Sequence, residues 1–336
     1  MNPNDSEALE PREAVNMYLS DRESELTRES LQSHRYRLER FIEFCEANNV
    51  DDMQDVSGRT VHRYKADRQD ETKPVTVKGH LATLRVFIRF CESIDVVKDG
   101  VADSINPPTV SKGSATSDRI IEADRMESIL AYHDKYEYAS LHHVLLKLLW
   151  ETGMRMGAAH SIDISDIHMD AQYVELHHRP SSGTTLKNGE RGERHVALSD
   201  GMCRVLRDHI EVHRHEVEDG HGREPLITTS HGRMNKSTLR QDTYRATRPC
   251  EYGYECPHGR APDECEGMQS RTPYKCPSSE APHAIRRGAI TDYLSDDVPI
   301  TVLSDRCNVT ESVLDEHYDE RSDREQMEQR REHLDW

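Results

Sequence analysis

A tyrosine near the C-terminal end of the chain follows three basic residues of types that handle phosphate esters. Arg155 ends the run Glu151-Thr152-Gly153-Met154-Arg155, His283-Ala284-Ile285-Arg286 comes more than 120 residues later, and Tyr318 follows Arg286 by 32 residues. Guanidiniums are planar, permanently charged donors that hold phosphate oxygens in pairs. A tyrosine hydroxyl becomes a nucleophile once a neighbour accepts its proton or a positive field surrounds it. These residue types therefore suit an attack on a phosphodiester.

The order Arg, then His-x-x-Arg, then Tyr resembles that of the tyrosine recombinases, also called phage integrases. The resemblance implies that Arg155 and Arg286 clamp a DNA phosphate. It implies that Tyr318 attacks the phosphate, forming a phosphotyrosyl bond at the DNA 3′ end, while His283 handles the tyrosine proton. No cofactor is then expected for catalysis, because the phosphotyrosyl bond conserves the energy of the bond that breaks.

The same resemblance implies a general acid for the departing 5′ oxygen, which in this family is a lysine on a β-hairpin. Lys187, in Thr185-Leu186-Lys187-Asn188, is the only lysine between Lys147 and Lys236 and lies in a polar turn. Its spacing to the following strand is about two residues off the commoner family pattern. We expect Lys187 to be the general acid.

Two family positions carry other residues in this chain. Ala158 stands where the family usually has Glu, three residues after the first Arg. Leu303-Ser304-Asp305 is taken as the counterpart of a Leu-Gly-His that precedes the tyrosine in the family. The second catalytic His or Trp is therefore unassigned, and the substitutes available nearby are Asp305, Asn308 and His317.

Four of the eight cysteines, Cys250, Cys256, Cys265 and Cys276, fall in one Pro- and Gly-containing segment just before His283. The spacing C-x5-C-x8-C-x10-C lacks the close pairs of common zinc modules. A tetrahedral thiolate site would nevertheless order a segment with few apolar residues, and four protein ligands would make it structural. We therefore expect a structural zinc, with His258 as an alternative ligand, against the alternative of four unrelated thiols.

Hydrophobic spacing predicts helices in the first third of the chain, of which residues 29–47 and 75–93 are the clearest. The similar runs Phe41-Ile42-Glu43-Phe44-Cys45 and Phe87-Ile88-Arg89-Phe90-Cys91 hold all four phenylalanines. We interpret them as two amphipathic helices that share one core rather than as a repeat. Residues 106–117 carry no hydrophobic period and read as linker.

After the linker, residues 124–153 are predicted to be helical, and residues 162–168, 173–178 and 195–198 to form a small antiparallel sheet. Helices resume near Gly201, and residues 285–336 are predicted to be helical with a break near Pro299. The predicted fold is mostly α-helical with one small antiparallel sheet. It comprises a helical N-terminal core-binding domain over residues 1–105, a linker over 106–118, and an α+β catalytic domain over 119–336 with a Cys-rich insert at about 249–281.

The charge balance opposes DNA binding at first sight, since 62 acidic residues outnumber 44 basic ones and give a formal net charge of −18. Such a composition is typical of proteins from very salty cytoplasm, where screening over about 3 Å leaves only close Arg–phosphate contacts effective. An ordinary acidic protein that never meets nucleic acid is the alternative. No apolar run suits a membrane span or a secretory signal, so a cytoplasmic, nucleoid-associated location is expected.

We therefore expect a site-specific recombinase that acts on double-stranded DNA as a homotetramer on synapsed sites. A type IB topoisomerase and a DNA-binding relative that has lost catalysis are the alternatives. The alternating charges of residues 321–331 favour a solvated helix, or a segment that docks on a neighbouring subunit.

Overall fold

The computed structural model describes residues 8–110 and 119–318, together with Arg324, Met327 and Arg331. Its chain divides into two compact units, Met1–Asp118 and Arg119–Trp336. Most of the predicted linker and nearly all of the predicted C-terminal helix after Tyr318 lie outside the described residues. No helix within the described ranges is long and apolar enough to cross a membrane.

Over residues 8–110, the first unit has four α-helices, with the bounds α1 Pro11–Asp21, α2 Arg28–Ala47, α3 Gly58–Glu71 and α4 Pro74–Ser93. Side-chain capping explains two of the starts: Thr27 accepts from the Ser30 amide ahead of α2, and Ser57 forms a capping box with Thr60 ahead of α3. Pro74 occupies the first turn of α4, where no amide is needed. The two predicted helices are confirmed.

The shared aromatic core of this unit is confirmed as well. Phe41 on α2 packs edge-on against Phe87 on α4 at 6.3 Å and against Tyr64 on α3 at 5.4 Å. Both phenylalanines are fully buried. The two similar runs are therefore the facing stripes of α2 and α4.

The second unit opens with α5 Ala123–Tyr136 and α6 Leu141–Thr152, where one continuous helix was predicted. The first helix ends at Tyr136, where Glu137 leaves the helical conformation, and Ala139 then turns the chain with a left-handed φ of 54°. Ser140 then caps the second by accepting from the amide of His143. His143 in turn accepts from the Ala139 amide through Nδ1 at 3.1 Å. These local polar contacts stabilise the corner, and apolar spacing alone does not show them.

The small antiparallel sheet is confirmed, with β1 Ile167–His168, β2 Tyr173–Leu176 and β3 Arg194–Ala197 in that order. Val174 and Leu176 on β2 and Val196 on β3 are buried, so one face of the sheet packs on the core. The first strand is shorter than predicted, because residues 164–166 form a 3-10 turn. A second, two-stranded sheet, β4 Thr228–Thr229 with β5 Gly232–Arg233, was not predicted.

The remaining helices have the bounds α7 Met156–Ser161, α8 Asp200–Asp208, α9 Lys236–Ala246, α10 Pro282–Ser295, α11 Ile300–Cys307 and α12 Glu311–His317. Pro299 caps α11, so the break predicted near Pro299 is confirmed. Helix α10 packs against α6 and crosses Ile121 closely: a Cβ on Gly288 would lie 2.2 Å from the Ile121 carbonyl oxygen. Only glycine fits this crossing, which sets the depth of α10 in the core.

Candidate active site

Three arginine side chains meet at the C-terminal end of α11, where main-chain carbonyls lack helical partners. They donate to three consecutive carbonyl oxygens: Arg194 Nε to Arg306 at 2.8 Å, Arg286 Nη1 to Cys307 at 2.8 Å, and Arg155 Nη1 to Asn308 at 2.7 Å. The negative end of a helix favours cations. One turn of backbone therefore gathers three guanidiniums that lie far apart in the sequence.

Each arginine comes from a different element. Arg155 is the N-cap residue of α7, directly after α6 ends at the left-handed Gly153. Arg286 lies on α10, is 2% exposed, and also donates to the Gly153 carbonyl at 2.6 Å. Arg194 opens β3 and donates through Nη1 to the Gly192 carbonyl at 2.9 Å. The predicted pair, Arg155 and Arg286, is thus brought together, and Arg194 joins it.

Among the described residues, no acidic side chain neutralises the positive charge of this cluster. Burial, followed by repulsion from Arg286, lowers the pKa of Arg155. Burial also lowers the pKa of Arg194 to about 10, with Arg286 and Arg155 adding to the effect. Within the described ranges no carboxylate forms an ion pair with any of the three, and Arg286 Nη2 is buried without a hydrogen-bond partner. One buried and two half-buried guanidiniums, without a carboxylate partner among the described residues, suit an anion that can bridge them, such as a phosphate.

His283 lies in the first turn of α10, one helical turn before Arg286, and its side chain remains exposed. Partial burial lowers its pKa, as do the nearby charges of Arg286, Arg287 and Arg155. The imidazole is therefore neutral at neutral pH and able to accept a proton.

Tyr318 follows α12 and is 8% exposed, so the side chain is not a solvent-exposed surface tyrosine. It packs in a small apolar cluster with members of α10, α11 and α12, namely Ile290, Leu294, Leu303, Cys307, Val309 and Leu314. The Arg287 guanidinium lies 5.8 Å from the ring centroid. Tyr318 is also close enough to Arg155 to act on its pKa. The site thus joins the predicted tyrosine to the arginine cluster.

Lys187 is exposed in the long connection between β2 and β3, next to a 3-10 turn at Gly189–Gly192. Its neighbour Asn188 donates through Nδ2 to Asn308 Oδ1 at 3.0 Å. Asn188 also lines a cavity of about 640 Å³, together with Arg155, Arg194 and Asn308. The turn that carries Lys187 is therefore tied to the same helix end that holds the arginines.

Buried ion pairs anchor the rest of this connection. Arg179, which follows β2, pairs with Asp166 at 2.5 Å and with Asp163 at 3.3 Å. Arg223 donates to Thr184 Oγ1 and to the Ser182 carbonyl, both at 2.9 Å. Both ends of the connection are thus held, and the Lys187 turn projects from a fixed base.

The conformation of Asn308 shows which position in this chain corresponds to the family's second histidine. It ends α11 with a left-handed φ of 50°, the conformation that glycine adopts most readily after a helix. The family's Leu-Gly-His therefore corresponds better to Cys307-Asn308-Val309 than to Leu303-Ser304-Asp305. The histidine position is then Val309, a buried apolar residue.

The other departures have plain structural counterparts. Ala158, at the family's glutamate position, is 6% exposed on α7 and supplies no acid. Asp305 lines the cavity, and Asn308 is engaged by Arg155 and Asn188. The side chain of His317 lies outside the described part of the chain.

The expected zinc site is not supported by the geometry. Among the described residues, no three Cys, His, Asp or Glu side chains converge as metal ligands. Cys250 is exposed, Cys276 is buried against Gly267, and Cys256 and Cys265 are half-buried. The Cys256 thiol has a lowered pKa because backbone amides, first that of Arg260, point at it.

Hydrogen bonds from arginines order the insert instead. Arg248 donates to the Gly267 carbonyl. Arg119 donates to the Pro277 and Ser279 carbonyls, and Arg125 to the Thr247 and Ser278 carbonyls. Buried Glu280 accepts from Arg119 at 3.0 Å. This network supplies the order that zinc was expected to give.

Sequence reasoning missed Arg194 and the α11 carbonyls. Nothing in Glu193-Arg194-His195-Val196 shows that this arginine, rather than any other strand residue, joins the cluster. The carbonyl partners are backbone atoms, so no residue type marks them.

Comparisons with known proteins identify the family and the fold. A model of the phage integrase family matches residues 119–318. The integrase of transposon Tn1549, solved in complex with a circular intermediate DNA, aligns over 96% of this chain and 100% of its own, with a TM-score of 0.66 and 12% identity. A lambda integrase dimer bound to a core site aligns over 93% of this chain and 96% of its own, with a TM-score of 0.63 and 13% identity.

A lambda integrase tetramer bound to a Holliday junction aligns over 92% of this chain and 80% of its own, with a TM-score of 0.62 and 14% identity. At such identities these structures establish a shared fold. No curated protein sequence matches the chain significantly.

Proposed function

Because this chain belongs to the phage integrase family of tyrosine recombinases, we propose that it is a site-specific recombinase that cuts and rejoins DNA through Tyr318. The single observation that supports this most is the set of guanidiniums held on the last carbonyls of α11, with Tyr318 packed beside them. A concentrated positive charge next to a buried tyrosine suits a phosphodiester substrate.

In the proposed reaction, Arg155 and Arg286 bind the non-bridging oxygens of the scissile phosphate. Charge on these oxygens grows as the fifth bond to phosphorus forms, and preorganised donors stabilise it. Tyr318 Oη attacks phosphorus and passes its proton to neutral His283. The bond to the 5′ oxygen breaks, and Lys187 protonates that oxygen. A 3′-phosphotyrosyl link and a free 5′ hydroxyl result, and attack by a new 5′ hydroxyl reverses each step.

The first unit offers a surface suited to the DNA backbone. Residues 73–91, which include almost all of α4, contain no Asp or Glu, in a chain with 62 acidic residues. Lys78 and Arg89 on this helix are exposed, Arg89 in a surface ion pair with Asp103 at 3.3 Å, and the half-exposed Arg85 donates to the Ile105 carbonyl. Phosphate contacts come mainly from such side chains. We assign α4 to the DNA-facing side of the N-terminal unit.

The net charge of −18 is reconciled with DNA binding if the protein works at high ionic strength. Screening then weakens repulsion between distant charges, while desolvated contacts at the arginine cluster persist. This salt-adapted state is part of the proposal. So is assembly into a tetramer on two DNA sites, which is suggested by the lambda integrase tetramer on a Holliday junction.

The test uses nicked duplexes tiled across the DNA that flanks the gene, incubated with the protein in concentrated KCl. A nick just downstream of the cleavage site lets the short fragment with the free 5′ hydroxyl diffuse away. This traps the covalent adduct, which a denaturing gel resolves. We expect an adduct at one discrete site for the parent protein and none for Tyr318→Phe. Equal adducts on every duplex would favour a topoisomerase, and intact binding without any adduct would favour an inactive relative.

A further inference from the structure

We propose that Arg194 is a third phosphate-binding residue of this site and supplies the hydrogen bond that the family's second histidine would supply. The inference rests on the proposed function, because it concerns the same scissile phosphate. It goes beyond the predicted set of Arg155, Lys187, His283, Arg286 and Tyr318, none of which compensates for the apolar Val309.

The placement of Arg194 is fixed by its own contacts. Nε donates to the Arg306 carbonyl at 2.8 Å and Nη1 to the Gly192 carbonyl at 2.9 Å. Gly192 itself sits in a crowded turn, where a Cβ would lie 2.7 Å from the Lys187 carbonyl oxygen. Two carbonyls in rigid surroundings therefore orient the guanidinium plane and leave Nη2 as its remaining donor group.

The cavity of about 640 Å³ connects this side chain to the rest of the site. Arg194 lines it together with Arg155, Asn308 and Val309. The carbonyls that hold Arg194, Arg286 and Arg155 are consecutive, so their guanidiniums approach one helix end from three elements. The Arg194 side chain therefore lines the same cavity as Val309, the position at which the family has its second histidine.

Among the described residues, no carboxylate forms an ion pair with Arg194, although Glu190 and Glu193 are close to it in the sequence. Its pKa is lowered to about 10 by burial and by Arg286 and Arg155, so folding brings together charges that repel one another. A bound phosphate relieves this repulsion. Without the Arg194 guanidinium, part of the phosphate charge would have no hydrogen-bond donor.

The experiment compares two nicked duplexes in the adduct assay, one with a normal scissile phosphate and one with a methylphosphonate, which lacks one charged oxygen. Arg194→Gln is expected to slow adduct formation about 100-fold on the phosphate, as for loss of one oxyanion donor. On the methylphosphonate we expect less than a tenfold loss, because the missing cation has less charge to stabilise. Arg194→Lys keeps the charge and is expected to fall between parent and Arg194→Gln on the phosphate.

Arg214→Lys and Arg214→Gln are the matched controls. Arg214, like Arg194, is held by two carbonyls, donating to Pro225 at 2.8 Å and Val217 at 3.0 Å, but it is buried and does not line the cavity. Its variants should slow both substrates equally, to the extent that they lose folded protein. The ratio of the two substrates within one variant does not depend on the folded fraction, so a partly unfolded Arg194 variant still tests the idea.

An equal loss on both substrates, or a parent-like rate on the phosphate, overturns the role of Arg194 while leaving the recombinase intact. If the parent protein forms no Tyr318-dependent adduct on either duplex, the proposed function itself is wrong, and the role of Arg194 fails with it.

Discussion

At the scale of single residues, Asn308 joins two functions that the sequence shows separately. Its carbonyl accepts from Arg155, and its side chain accepts from Asn188 in the Lys187 turn. Its left-handed φ of 50° makes both possible by ending α11 sharply. One residue thus couples the proposed phosphate clamp to the proposed general acid.

Replacement of Asn308 should separate these two functions. Asn308→Gly keeps the backbone conformation and the carbonyl, so we expect near-parental stability and a slower release of the 5′ oxygen. Asn308→Val has a β-branched side chain at positive φ and should cost about 1–3 kcal/mol of stability. Urea unfolding and adduct kinetics on a nicked duplex measure the two effects. A parental adduct rate in Asn308→Gly would show that the Asn188 contact is dispensable.

The pH dependence of cleavage should report His283. Its lowered pKa keeps the ring neutral above the ordinary value of about 6.5. The rate of adduct formation is therefore expected to have its acid limb below pH 6.5, as protonation removes the acceptor for the tyrosine proton. His283→Gln should lower the rate and abolish this limb, whereas the exposed His195 replaced by Gln should leave the profile unchanged. An acid limb that survives in His283→Gln would assign it to another group.

At the scale of elements, α10 and α11 form the frame on which the site is built. Helix α10 carries His283 and Arg286, and α11 offers the carbonyls that receive three guanidiniums. The depth of α10 is set by Gly288 against Ile121 and Trp150. A displacement of α10 would therefore move His283 and Arg286 together.

Gly288→Ala tests this crossing. The added methyl would overlap the Ile121 carbonyl, and overpacking of this kind costs about 1–3 kcal/mol. The matched control is Gly157→Ala on α7, where a Cβ meets nothing within 4 Å. Alanine there should be neutral or stabilise by up to about 1 kcal/mol. Thermal unfolding midpoints of Gly288→Ala and Gly157→Ala measure the difference. Equal midpoints would mean that α10 can shift to admit the methyl group without a loss of stability.

At the scale of the whole molecule, we expect buried histidines to limit the acid stability of the second unit. His133 and His143 are fully buried, with rings stacked at 6.0 Å, and burial lowers the pKa of each to about 4. Asp134 acts in the opposite direction on both, and His142 and Lys147 add to the lowering. The folded state therefore binds these protons more weakly than the unfolded chain.

Stability should accordingly fall as pH drops from about 6.5 to about 4, and be insensitive to these groups above 6.5. A shift of this size corresponds to about 3 kcal/mol for each histidine at the acid end. Urea unfolding at pH 7.5 and 5.0 measures the loss. His143→Asn keeps an acceptor near the Ala139 amide but cannot be protonated, so the loss should shrink. An unchanged loss in His143→Asn would show that other groups cause it.

Salt should stabilise the molecule, because a net charge of −18 repels itself at low ionic strength. We expect the thermal midpoint to rise steadily between 0.1 M and 2 M KCl as screening shortens to about 3 Å near 1 M. Substituting an equal concentration of a neutral osmolyte is the control for excluded-solute effects. A midpoint that is flat in KCl would contradict the salt-adapted state.

The sequence by itself determined the helices α2 and α4, the small sheet and the Arg, His-x-x-Arg, Tyr order, because these depend on local spacing and on residue type. Only the tertiary structure decided the break at Ala139, the third guanidinium and the position of the absent histidine. Those features depend on backbone conformation and on carbonyl groups that every residue carries. The cysteines show the same limit: their spacing suggested zinc, whereas arginines from distant segments supply the contacts that order the insert.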